Sequence, residues 1–313
     1  QHLGLDLEAL EKQQNNLNAQ ELGDPEERRD QRRLWDRNPV YSLKEVNKMS
    51  QQGVDRLTNM QLSSGAWGWF GGGEARPNAH MTCVVVHGLQ LAQDNDVAIV
   101  PDVINKAVAW LRNYEKSQVS SIKDKDDWKK YPDNTDAFVY MVLADAGQEN
   151  KEMRELLYAN RLKLSVYGMA MYGLALHKQG HEKKLDMIMR NISQYLEQDD
   201  ENQTAWLELG NRWHWWYWYG SDTEAEAYYL KLLARVDPES DVASRLVKHL
   251  LNTRKNGYYW RSTRDTALCV EAFADYIKAT GELAPDMIVT VMMDDRQIHQ
   301  VEINKDNLFS FDN

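Results

Sequence analysis

Residues 53–70, GVDRLTNMQLSSGAWGWF, followed after a glycine-rich bend by residues 81–92, MTCVVVHGLQLA, carry the reading of the fold. Upstream of the bend, Val46, Met49, Val54, Leu57 and Met60 fall at helical spacing, which predicts a helix from Glu45 onward. It must stop at SSGAWGWFGGGEARPNAH, a loop crowded with glycines and aromatic rings. A second helix follows at once, so the unit is helix, ring-bearing loop, helix.

Altered forms of this unit recur down the chain. Helix starts are expected near Thr82, Asp136, Tyr167, Thr223 and Thr266, about 46 residues apart on average, the period of a helical hairpin array. The preceding loops share chemistry: GAWGWF, WKKYPDNTDAF, WHWWYWYGSDTEAEA and GYYWRSTRDTALCVEA. Each sets large rings just before a residue able to cap the next helix, and Asn134, Ser221 and Thr263 are the cap candidates. Small residues follow (Ala137 and Ala144; Ala225 and Ala227; Ala267, Ala272 and Ala274), which lets helices pack closely in an inner ring. Dividing the helical residues by the period gives about six hairpins, enough for such an array to close on itself. The expected fold class is therefore all-α, an α/α toroid over residues 1–283. Within it, residues 1–45 open with Leu3, Leu5, Leu7 and Leu10 and continue as a polar excursion, either a solvated helix or an ordered loop. From Asp286 the period changes to two around Asp294 and Asp295, predicting a β-hairpin. A lone hairpin is marginal in water, so residues 284–313 are expected to begin an adjoining β-domain supplied by a longer parent chain. The first residue, Gln1, and the closing LFSFDN, which has the pattern of a strand cut in mid-course, point the same way.

Composition narrows the function. The 313 residues carry 48 acidic and 37 basic groups, a net charge of -11, which argues against nucleic acid as a partner. No run approaches the roughly 18 apolar residues of a membrane span, and no signal peptide opens the chain, so no membrane contact is expected. Two cysteines, Cys83 and Cys269, suffice neither for a disulfide framework nor for a four-thiolate metal site.

Several constellations invite chemistry and each has a plainer reading. His80, Cys83 and His87 lie on one helical stripe but lack a fourth ligand, so a core face with a buried thiol is preferred and no metal is expected. His177 and His181 straddle Gly180, which terminates a helix between them. Asp124, Asp126 and Asp127 resemble the acidic run of class II terpene cyclases, which need a carboxylic acid kept protonated in an apolar cavity. Here Lys123, Lys125, Lys129 and Lys130 surround the run, which reads as a solvated loop. The cluster Trp206, Trp213, Trp215, Trp216, Tyr217, Trp218 and Tyr219 offers a sugar platform with Glu208, Asp222 or Glu224 as acid and base. The alternative, rings plugging one end of a helical barrel, is preferred because similar rings recur in the other loops. With no GxSxG and no phosphate loop, no catalytic residue and no cofactor is expected. The candidate binding surface is the aromatic loop face: Trp67, Trp69, Trp213, Trp215, Trp216, Trp218 and Trp260.

Residues 53–70 with the helix that follows, and residues 257–277, GYYWRSTRDTALCVEAFADYI, leading into a β segment, resemble the thioester (complement-like) domain of bacterial alpha-2-macroglobulins. The similarity runs from about residue 45 to 313. It implies an α/α toroid, also the architecture of terpenoid cyclases, inside a large protease-trapping inhibitor of the bacterial envelope, periplasmic or secreted. In that family, protease cleavage of a bait region triggers a collapse, and a shielded thioester between Cys and Gln side chains then acylates the protease. The implied partners are target proteases and neighbouring β-domains of the parent, and the implied chain is not an enzyme. One departure matters: the family's Cys-x-Glu-Gln motif does not occur, since Cys83 is followed by VVV and Cys269 by VEA. Either this sequence begins just after the motif or it comes from a member without a thioester; in both cases these residues act as scaffold and shield. The rival reading is an (α/α) toroid enzyme, a glycoside hydrolase or terpene-cyclase-like protein using the Trp-rich face. A helical-repeat binding module without chemistry is the third.

Overall fold

A computed structural model describes residues 43–69, 76–124, 127–210, 221–255, 259–282, 286–294 and 296–304. Its helices are α1 (Leu43–Asn59), α2 (Ala79–Asp94), α3 (Pro101–Lys123), α4 (Asn134–Asp145), α5 (Lys151–Ala159), α6 (Val166–Lys178), α7 (Glu182–Ser193), α8 (Asp222–Val236), α9 (Asp241–Asn252) and α10 (Thr263–Thr280). Strands β1 (Leu196–Asp199) and β2 (Thr204–Leu207) pair between α7 and α8, and β3 (Asp286–Met293) pairs with β4 (Arg296–Asn304) after α10.

Two kinds of helix alternate, and burial tells them apart. In α4 every residue from Asp136 to Ala144 is buried, in α6 Val166 to Leu176, and in α8 Glu224 to Ala234. Helices enclosed on all sides must be apolar or internally paired all round, and these form an inner row with α2 and α10. The intervening helices bury one stripe: Val103, Ala107, Leu111, Glu115 and Val119 in α3, and Ala243, Leu246 and Leu250 in α9. Along the inner row α2 packs on α4, α4 on α6, α6 on α8 and α8 on α10, while α3, α7 and α9 back α4, α6 and α8. His87 Nε2 of α2 lies 2.9 Å from Glu271 Oε1 of α10, so the first and last described inner helices meet. This is the α/α toroid, with five inner helices among the described residues and a C-terminal β-hairpin after them.

The chain divides into two compact units. Of the described residues, those within 56–94 and 98–280 belong to the helical one, and those within 43–55, 95–97 and 281–304 to the other. In the latter, β3 and β4 run antiparallel from Asp286 opposite Asn304 to Met293 opposite Arg296, with a bulge between Val291 and Met292. Asp294 takes a positive φ of 48° in the turn. Met287, Ile288, Val291, Met292, Met293 and Ile298 stand exposed, so neither face of this two-stranded ribbon is buried.

Expected helix starts fall within three residues of those observed, but two caps shift. Asp133, not Asn134, caps α4, accepting from Thr135 N and Asp136 N in a capping box with Asp136. Asn134 instead reaches across, its Oδ1 accepting from Ser165 N at 2.9 Å. At α10 Ser262, not Thr263, accepts from Asp265 N at 3.1 Å. Ser221 caps α8 as expected, accepting from Glu224 N. At the other end, Gly180 (φ +73°) follows α6, with His181 N bonded to Leu176 O and Gly180 N to His177 O. That pattern requires a left-handed residue, which is why glycine separates the two histidines.

The β1–β2 hairpin has no counterpart in the sequence reading. Asp199 Oδ1 accepts from Glu201 N and Asn202 N, and Gln203 (φ +54°) completes the turn. Cys83 and Cys269 are both fully buried; burial pushes the Cys83 thiol well above its usual value and that of Cys269 to about 12. A thiol reagent should therefore find no reactive group in the native chain and two after denaturation, measured by titration with and without guanidinium.

Candidate functional site

The ring-bearing loops are built as clasps. Trp67 N donates to Thr82 Oγ1 at 3.0 Å, Thr82 Oγ1 donates to Asn78 O at 2.7 Å, and the Trp67 indole donates to Leu57 O at 2.8 Å. The same circuit closes around Trp260: its N donates to Thr266 Oγ1 at 3.1 Å, Thr266 Oγ1 to Ser262 O at 2.8 Å, and the indole to Leu250 O at 2.9 Å. In both, a Trp precedes the cap, a Thr four residues after the cap holds the Trp backbone, and the indole reaches ten residues back to the preceding helix. The rings are enclosed, with Trp67 at 2% and Trp260 at 4% exposure, whereas Trp69 is 51% exposed. Trp213, Trp215, Trp216 and Trp218 lie outside the described residues.

Polar side chains join neighbouring inner helices at the same end. The Arg264 guanidinium of α10 donates to Glu224 Oε1 of α8, and Ser221 Oγ donates to Asp265 Oδ1 at 2.9 Å. Burial pushes the Glu224 carboxyl up to about 8 even with Arg264 beside it, and burial together with Arg264 pulls His80 down to about 4. Lys129, expected to keep the DKDD run wet, turns inward: its Nζ lies 3.0 Å from Asp133 Oδ2 and 2.7 Å from Asp136 Oδ2. Asp127, which accepts from Lys129 N at 3.1 Å, is held below the usual carboxylate range by that bond. It is thus an ionised surface group, the opposite of a protonated cyclase acid. The three proposed sugar carboxylates are unlike one another: Glu208 and Asp222 are exposed and Glu224 is buried against Arg264.

The stripe His80, Cys83, His87 splits three ways. His80 packs edge-on to Phe138, Cys83 is enclosed, and His87 bonds Glu271. Among the described residues no three His, Cys, Asp or Glu side chains gather as a ligand set. Sequence reasoning missed the ion cluster around Glu271, which also accepts from the Lys231 ammonium of α8. Burial alone would raise the Glu271 carboxyl, but Lys231 and His87 hold it well below its usual value.

A second buried acid sits under the β1–β2 hairpin. Glu226 Oε1 accepts from Leu207 N at 3.3 Å and lies 3.5 Å from His249 Nε2, on which Trp206 stacks. Burial pushes this carboxyl up to about 7 from 4.5. Between those values the folded chain keeps a proton the unfolded chain has lost, so this group makes stability fall as pH rises through the window. Glu226→Gln, which keeps the acceptor, should remove that fall and stabilise the chain at pH 8 by about 2 kcal/mol, read from urea unfolding at pH 5 and 8.

Comparison with known proteins follows the same lines. No family model matches the chain. Alpha-2-macroglobulin of Thermotoga maritima is 21% identical over 242 residues, 76% of this chain and 13% of that protein. This chain therefore spans about an eighth of the length of the curated relative it matches. Among solved structures, native Escherichia coli alpha-2-macroglobulin from domain MG7 to the C-terminus aligns with a TM-score of 0.55 at 18% identity, over 85% of this chain and 40% of that one. The E. coli protein activated by porcine elastase aligns with a TM-score of 0.57 at 18% identity, over 85% and 22%. Salmonella alpha-2-macroglobulin reacted with methylamine gives 0.53 at 18% identity, over 98% and 19%. The resemblance therefore holds in both sequence and fold, and the bacterial alpha-2-macroglobulins are the family this chain resembles.

Proposed function

We propose that this chain is most of the toroidal thioester-type domain of a bacterial alpha-2-macroglobulin-like endopeptidase inhibitor, and that it serves the parent as scaffold and shield without catalysing a reaction. The observation that carries the reading is the T. maritima sequence match together with the fold match to the E. coli structures. Burial of both thiols and enclosure of Trp67 and Trp260 support a role in shielding.

The domain runs to about residue 283, and residues 284–313 begin the adjoining β-domain. The exposed Val, Ile and Met residues of β3 and β4 support that assignment, since a ribbon with two bare faces needs a sheet to join. Target proteases meet the parent, and Trp69 on the loop face is the exposed ring among the described residues of that face. The compartment is the periplasm or the exterior of a bacterial cell. Among the described residues no helix is long and apolar enough to cross a membrane. The test is size-exclusion chromatography of the parent protein after incubation with a serine protease. Co-elution of protease and parent is expected, and separate elution of the two after complete cleavage would reject the reading.

A further inference from the structure

Sequences of the form Asn-x-Ser/Thr mark acceptors for N-linked glycans where they stand on the surface of an exported protein. Two occur in this chain, Asn191-Ile192-Ser193 and Asn202-Gln203-Thr204. The fold treats them oppositely. Asn191 lies buried within α7, and its Oδ1 accepts from Arg161 Nε at 3.0 Å. An enclosed amide on a helix has neither the reach nor the backbone freedom to enter an enzyme's active site. Asn202 stands exposed in the turn that joins β1 to β2.

The tip of this hairpin suits an acceptor. Asp199 Oδ1 accepts from Asn202 N and Gln203 has a φ of +54°, so the backbone doubles back beside the asparagine. Asn202 Nδ2 donates to Asp199 Oδ2 at 2.7 Å, an exposed bond worth about 1 kcal/mol that an enzyme can replace with its own. Asp200, two residues before the asparagine, completes the longer acceptor sequence that bacterial transferases read, Asp/Glu-x-Asn-x-Ser/Thr, and its side chain is 90% exposed. At Asn191 that place is held by Met189. Thr204, the first residue of β2, is buried, so the tip lifts before an enzyme reaches its hydroxyl. Strands of four residues, with β1 nowhere buried, make that local opening easy.

We propose that Asn202 is the acceptor for an N-linked oligosaccharide, added by a transferase of the cell envelope from a lipid-pyrophosphate donor. Asn202 Nδ2 attacks the anomeric carbon of the first sugar. The new C–N bond forms as the bond from that carbon to the pyrophosphate oxygen breaks; the amide gives up one proton and the lipid pyrophosphate leaves. The inference rests on the compartment proposed above, where such transferases act, but its test uses the isolated chain, so its failure leaves the protease-trapping reading untouched.

In the test, the folded 313-residue chain is incubated with a bacterial oligosaccharyltransferase and its lipid-pyrophosphate-linked oligosaccharide, then read by intact-mass and peptide mass spectrometry. A mass increase of one glycan, located on Asn202, is expected. Asn202→Gln should lose it, Asp200→Asn should slow it severalfold, and Asn191→Gln should leave it unchanged. Circular dichroism melts identify any variant that fails to fold, and Asn202→Gln, at an exposed turn, carries the test if Asn191→Gln does not. No transfer to the chain while a free acceptor peptide in the same tube is glycosylated, a glycan on Asn191, or a full mass increase in Asn202→Gln would overturn the proposal.

Discussion

Replacing Glu271 with Leu lowers the stability of the helical unit by about 3–5 kcal/mol, the cost of leaving a buried ammonium without its counter-charge. Lys231 is only 3% exposed, so its ammonium would be left poorly solvated once its acid is gone. The effect is specific to the pair. Adding Lys231→Met to Glu271→Leu removes the stranded charge, and most of the loss should be recovered, as when a buried ion pair is replaced by apolar groups of similar size. A cycle of urea melts on the two single variants and the double variant checks this, with a coupling near zero as the failing result. Acid provides a second readout. The folded-state carboxyl of Glu271 lies well below its unfolded value of 4.5, so its contribution is complete above that pH and is lost as pH falls beneath it. Wild type should therefore lose stability on acidification more steeply than the double variant.

The second large effect belongs to the clasps. Trp67→Ala and Trp260→Ala should each cost about 3–5 kcal/mol, because an enclosed ring is removed and its cavity cannot fully collapse. Phenylalanine at either position keeps most of the apolar area and loses the indole bond to Leu57 O or Leu250 O, so about 1 kcal/mol is expected. Trp69→Ala, at a half-exposed ring in the same loop, should change stability by less than about 0.5 kcal/mol. Thermal melts of these variants distinguish a structural clasp from a binding platform. If Trp67→Ala melted with wild type, the clasp would be wrong.

How much of this could be read beforehand depends on the range of the interaction. Helix, ring loop and helix were legible because periodicity and capping chemistry are local, and Ser221 illustrates it. The neighbouring caps slipped by one residue because Asp133 and Asn134, or Ser262 and Thr263, are equally able to cap. What separates them is a distant contact, such as Asn134 with Ser165. The β1–β2 hairpin was hidden for a related reason: each strand has four residues, and the turn between them uses Asp199 and Gln203 with neither Gly nor Pro. Lys129 was read as solvating an acidic run, yet it is buried between Asp133 and Asp136, since sequence proximity does not tell which way a long side chain turns. The cluster of His87, Lys231 and Glu271 was the least legible. Its members are up to 184 residues apart, and His87 had drawn notice only for its spacing from Cys83. The four Trp residues between 213 and 218, the densest aromatic signal in the sequence, lie outside the described residues, so the loop face is known from Trp67, Trp69 and Trp260.

The central claim is that the toroid belongs to a protease trap, and the most direct measurement is a substrate-size assay on the parent protein. A serine protease is incubated with it and then assayed on a small chromogenic peptide and on a large protein such as casein. A trap encloses the protease without blocking its active site, so cleavage of the peptide should persist while cleavage of casein falls several-fold. Equal activity on both substrates, with the parent shown to be folded and cleaved, would contradict the account.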